Sequence, residues 1–97
     1  MEMTEEQKRI FDSLVCAIQL ELDKKAHERS YDNMLSLCSY ATSTNPRFRA
    51  DADLAVPWRD AMWSKGYEIL DAVIAGERPI PTRDELLAEL PEFEWPE

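Results

Sequence analysis

From Thr4 to Glu28 the apolar residues return at helical spacing: Phe11, Leu14, Val15, Ile18 and Leu22 make one stripe, and Ile10 and Ala17 widen it. A stripe this long and broad commits the first quarter of the chain to one amphipathic helix. Thr4 with Gln7 three positions on fits a capping box, in which hydroxyl and amide side chains each satisfy a free backbone N–H. Lys24, Lys25, His27 and Arg29 place positive charge where the negative end of the helix dipole falls. The expected span is Glu5 to Glu28, with residues 1–3 frayed.

Glycine is scarce, two in 97 residues, so little chain is available for tight hairpins, and no segment alternates apolar and polar side chains as a strand does. The expectation is therefore an all-α fold, one small helical domain over residues 1–97. Ser30-Tyr31-Asp32-Asn33 reads as a turn with Asp32 as N-cap, followed by a short helix from Asn33 to about Ala41. Met34, Leu35, Leu37, Cys38 and Ala41 leave that helix few polar positions, which makes it central. Asn45 precedes Pro46 and is pushed away from helical backbone, whereas Pro46 suits a first turn. A long helix then carries Phe48, Ala52, Ala55, Trp58, Met62, Ile69, Leu70 and Val73 up to Gly76, a good residue just past a helix end. Pro57 inside it removes a donor and crowds the carbonyl of Asp53, which predicts a kink or a break near residues 55–56. Thr82 opens a short fourth helix from Arg83 to Leu90. Residues 91–97 form an irregular acidic and aromatic tail. The chain reads as three main helices plus a short C-terminal one.

Twenty acids against eleven bases give a net charge of −9. Such a surface repels nucleic-acid phosphate, so DNA and RNA are not expected partners. No run approaches the length of a membrane span and no leader pattern opens the chain, so a cytosolic protein without membrane contact is expected. Cys16 and Cys38 both fall in apolar helical patterns and read as small buried hydrophobes in a reducing compartment.

No constellation carries chemistry. His27 stands on the charged end of the first helix without a nucleophile or an orienting partner. The acids Glu21, Asp23, Glu28, Asp51 and Asp53 match no calcium-loop spacing, and the cysteines are too isolated for zinc. The expectation is a non-enzyme with no catalytic, cofactor-binding or metal site. Trp58-Arg59-Asp60 with Trp63 is more informative. Between two indoles Arg59 is partly desolvated and needs a carboxylate, and Asp32 is the expected partner in a bidentate ion pair. Two surfaces are candidates for partner binding: the stripe Phe11, Val15, Ile18 and Leu22, and the tail aromatics Phe93 and Trp95. Those two rings either fold back on the groove between the helices or anchor in a neighbouring subunit or partner.

The order Tyr31-Asp32, Ser39-Tyr40-Ala41, Asn45-Pro46-Arg47-Phe48, Trp58-Arg59-Asp60-Ala61-Met62-Trp63, Tyr67, Ala75-Gly76-Glu77-Arg78-Pro79-Ile80-Pro81-Thr82 and Glu85-Leu86-Leu87-Ala88-Glu89-Leu90-Pro91 covers roughly residues 10 to 95. It resembles a family of small proteins and C-terminal modules of tailed bacteriophages and prophages, associated with the tail or tail-fibre region. Pro57 departs from that pattern. The resemblance implies a structural or assembly role among tail, fibre or baseplate proteins, as a homo-oligomer or hetero-complex. It would act in the host cytoplasm during assembly or within the virion tail. The competing expectation is a small acidic inhibitor of a host defence or nucleic-acid-binding protein, of DNA-mimic or anti-CRISPR type. The acids are spread along the chain rather than packed in rows, which favours the tail role.

Overall fold

The two long helices lie side by side and antiparallel, and the shorter elements pack against one or both of them. In the computed structural model, which describes residues 4–96, the elements are α1 (Glu5–Glu28), α2 (Met34–Cys38), a 3₁₀ turn (Ser39–Thr42), α3 (Pro46–Ile74) and α4 (Arg83–Glu89). Among the described residues there is no strand, so the all-α expectation holds. The expected fraying of residues 1–3 and the last tail residue lie outside the described residues.

Local chemistry sets the helix ends. Thr4 and Gln7 form the capping box of α1, and Thr82 and Glu85 form a second one on α4. Pro46 occupies the first turn of α3, where a missing N–H costs nothing, and the Asn45 side chain accepts from the Arg47 and Phe48 amides. Both long helices end in the same reversal. In α1 the Tyr31 N–H reaches the Ala26 carbonyl at 3.1 Å and the Ser30 N–H reaches His27 at 3.0 Å. In α3 the Glu77 N–H reaches Ala72 at 2.9 Å and the Gly76 N–H reaches Val73 at 3.1 Å. This is the Schellman pattern, which needs a left-handed residue: Gly76 at φ 76° in one case and Ser30 at φ 68° in the other.

Two capping details differ from expectation. Asn33, not Asp32, is the N-cap of α2: its Oδ1 accepts from the Ser36 amide at 2.7 Å. Asp32 instead offers its carbonyl to the Nε2–H of His27 at 2.8 Å, which closes the turn. A second acceptor for the α2 amides comes from α1, where Asp23 Oδ1 receives the Met34 N–H at 2.9 Å and the Gln19 side chain at 3.0 Å. The helix reaches only Cys38 before tightening into the 3₁₀ turn. Pro57 does not break α3, which runs continuously from Pro46 to Ile74.

Residues 7–14 lie beside residues 70–74, and residues 21–25 beside Trp58 and Met62, which fixes the antiparallel register. Midway, Ile18 presses on Gly66: a Cβ there would stand 2.7 Å from Ile18 Cδ1, so the absent side chain lets the helices close. The core is a single cluster of Leu14, Ile18, Leu22, Met34, Leu37, Met62, Leu70 and Leu86 with smaller neighbours. Cys38 is buried, but Cys16 is exposed, because it lies on the face of α1 opposite the stripe; both thiols are free.

Candidate protein-docking site

Each candidate surface is built on the α1–α3 pair. Ile18 and Leu22 are fully buried against it and belong to the core, so they cannot meet a partner. Phe11 and Val15, on the same stripe but nearer the N-terminus, are only partly buried. The reason is position along the pair: the helices α2 and α4 both pack against α1, whereas beside Phe11 the neighbours beyond α3 are Pro79 and Ile80 of the extended linker.

The uncovered end is a cleft. Ile10, Phe11 and Leu14 from α1, Leu70, Val73 and Ile74 from α3, and Pro79 and Ile80 from the extended linker enclose about 250 Å³. Ile74 and Ile80 stand on its edge, 45% and 42% exposed. Arg78 and Gln7 are its polar boundary. Arg78 is held in place by a two-pronged pair with Glu89, at 3.0 and 2.7 Å, which ties the linker to α4. That pair holds the Glu89 carboxyl below and the Arg78 guanidinium above their usual ranges, while the Thr82 amide and hydroxyl do the same downward service for Glu85. A second apolar ledge follows on α3, where Trp63 and Tyr67 stack at 5.7 Å and Tyr67 remains 48% exposed.

The tail takes a different course from a free anchor. Phe93 stacks on Trp58 at 5.0 Å, and Trp95 meets Phe93 edge-on at 4.9 Å. The Trp58 indole donates to the Pro91 carbonyl and the Trp95 indole to the Lys25 carbonyl, each at 2.9 Å. Arg29 lies 4.9 Å over the Trp95 ring and donates to the Pro96 carbonyl at 2.6 Å. Of the two expectations for these rings, the structure takes the fold-back. Lys25 supplies a carbonyl near the end of α1 that no later helical amide claims, and an indole N–H satisfies it.

The Arg59–Asp32 pair does not form. Arg59 turns to its neighbour Asp60, at 2.8 Å, and both groups stay partly in water. The buried carboxylate is Asp51, 7% exposed, which accepts from the Tyr31 hydroxyl at 2.9 Å and lies 3.6 Å from Arg29. Burial, and then the bond and charge of Asp51, push the Tyr31 hydroxyl up to about 12. The signal was present in the sequence: Asp51 stands on the stripe of Ala55, Trp58 and Met62, so a carboxylate there had to face the core. Burial also pushes the Cys38 thiol up, opposed by the nearby Arg59. His27 is exposed.

Among the described residues no three histidine, cysteine or acidic side chains gather as metal ligands, and no helix is long and apolar enough to cross a membrane. Fold and surfaces together define a small helical scaffold with an apolar cleft at one end and a strapped groove at the other. No protein-family model, curated protein or solved structure matches the chain.

Proposed function

We propose that this chain is a non-enzymatic docking module that works through protein–protein contacts at the cleft between the N-terminal turns of α1 and the C-terminal turns of α3. The observation that carries the reading is the exposure of Ile74 and Ile80 beside the part-buried Phe11 around one concave apolar surface. An isolated exposed leucine or isoleucine is ordinary, but several around one hollow mark a place where another surface sits. The biological setting proposed is tailed-phage assembly, with tail, fibre or baseplate polypeptides as partners. Support for that setting comes from the residue pattern running from Tyr31 to Pro91.

An apolar contact predicts its own salt response. Binding through the cleft survives about 1 M salt, because charge screening leaves apolar burial intact, whereas a carboxylate surface mimicking DNA loses its partner steeply. The test is co-purification of tail or fibre polypeptides from prophage-induced cells with tagged full-length chain, compared with Ile74→Glu and Ile80→Glu. Retention in high salt with loss in both variants, at unchanged helical circular dichroism, is the expected result. Recovery of a host nuclease that elutes with salt and ignores both substitutions overturns the reading in favour of the acidic inhibitor.

A further inference from the structure

Residues 91–96 are held as a binding protein holds an extended peptide. They have no helix or strand of their own. What fixes them is a set of contacts to α1 and α3: the Trp58 indole on the Pro91 carbonyl, Phe93 stacked on Trp58, the Trp95 indole on the Lys25 carbonyl, and Arg29 on both the Trp95 ring and the Pro96 carbonyl. In extended chain successive side chains point to opposite sides, so aromatics two positions apart reach the same surface. Phe93 and Trp95 accordingly face the groove, while Glu92 and Glu94 are exposed. Two bases stand beside the segment: Lys25 lies 3.8 Å from the exposed Glu94 and 3.3 Å from Glu28, and Arg29, one helical turn further on, lies 3.6 Å from Asp51.

We infer that this groove, distinct from the cleft at the opposite end of the helix pair, is a recognition site for an extended acidic peptide of a partner protein, and that the chain's own tail fills it as a competing mimic. The peptide it fits carries aromatic side chains at positions i and i+2 with an acid between them. The first ring stacks on Trp58 and the second, an indole or phenol, donates to the free carbonyl of Lys25. The intervening carboxylate meets Lys25, and a main-chain carbonyl beyond the second ring meets Arg29. Tethering gives the tail a high effective concentration, on the order of millimolar for a short connection, so a partner must compete against it. Exchange leaves the rest of the fold in place, since α1, α2 and α3 keep their mutual contacts without residues 91–96.

The test uses the full-length chain with Phe93→Ala and Trp95→Ala together, which empties the groove without shortening the protein. The probe is a fluorescein-labelled peptide Pro-Glu-Phe-Glu-Trp-Pro, alongside versions with Asp for Glu, Tyr for Phe, Lys for Glu, and an extra residue between the rings. The double variant binds the first peptide at least tenfold tighter than wild type does. It accepts the Asp and Tyr versions and rejects the Lys version and the lengthened one. Arg29→Glu in the same background removes binding. A folded double variant that binds nothing overturns the inference, as does equal binding by wild type and variant. Acceptance of the tail's own sequence alone also overturns it, because the segment is then a structural strap only. If the double variant does not fold, the same peptides are titrated into ¹⁵N-labelled wild type at concentrations above the roughly millimolar effective concentration of the tethered tail. Concerted shifts of the Trp58 and Trp95 indole N–H signals are then expected, and unmoved signals sink the proposal.

Discussion

Ser30 and Gly76 sit at the same place in two equivalent helix endings, yet only one of them is suited to it. Left-handed backbone costs a residue with a Cβ roughly 1–2 kcal/mol, while replacing it by glycine gives back part of that through a freer unfolded chain. The balance predicts that Ser30→Gly stabilises the protein by about 0.5–1 kcal/mol, read as a melting temperature several degrees higher. A lowered midpoint would show that the Ser30 side chain has a role beyond the turn. One residue on, Tyr31 makes stability depend on pH. Its hydroxyl titrates at about 12 in the fold against about 10 in an unfolded chain. The raised value means that the native state holds its proton longer, so the contribution is complete below pH 10 and disappears as pH rises towards 12. Denaturant unfolding of wild type and Tyr31→Phe across that interval should therefore converge as the pH climbs. Curves that stay parallel would show that the Tyr31–Asp51 bond does not discriminate between the protonation states.

At the scale of elements, α3 is the unexpected one. A proline in a helix interior forfeits one backbone bond and crowds the preceding turn, at about 3 kcal/mol relative to alanine, of which unfolded-state stiffness returns up to about 1. The helix nevertheless runs through Pro57 without interruption, because Ala55, Trp58 and Met62 on either side of it are packed into the core. Tertiary burial overrides the local preference. Pro57→Ala should accordingly raise the unfolding free energy by about 2 kcal/mol with no loss of helical signal. A neutral or lower value would mean that the local geometry set by the ring is required for α2 or the tail to pack. Asp23 shows the opposite traffic between elements: a side chain on α1 supplies an acceptor that the five residues of α2 need at their first amide. So short a helix has little stability of its own, and its cap from another helix explains where it starts.

As a whole molecule the protein is long and thin, 47 × 22 × 17 Å with a radius of gyration of 15.3 Å. A compact chain of this length would have about 12.5 Å. Two paired helices with short elements laid along them give that shape, and they leave one end of the pair open as the cleft. The core and the cleft respond differently to substitution, although both draw on the same stripe of α1. Leu22→Ala, at a site with no solvent exposure, removes core packing and should cost about 3 kcal/mol, lowering the melting temperature by about 10 °C or more. If Leu22→Ala melts like wild type, the burial assigned to the stripe is wrong and its partner-binding role returns.

Much of this architecture was legible in the residues. The bounds of α1, the capping box, Pro46 at the start of α3 and Gly76 at its end all follow from neighbours within about four positions, where sterics and backbone hydrogen bonding act directly. The scarcity of glycine and the absence of strand alternation likewise pointed to the class of fold. Other matters were closed to the sequence because they join distant residues: Tyr31 to Asp51 across 20 positions, Trp58 to Pro91 across 33, and Trp95 to Lys25 across 70. Periodicity names the side of a helix that is apolar but not which neighbour covers each turn, so Ile18 and Leu22 went to the core and Phe11 to the cleft. Local propensity therefore fixed where the helices lie along the chain. Only the three-dimensional packing decided which aromatics are spent inside, which hydroxyl meets the buried Asp51, and which surface is left open.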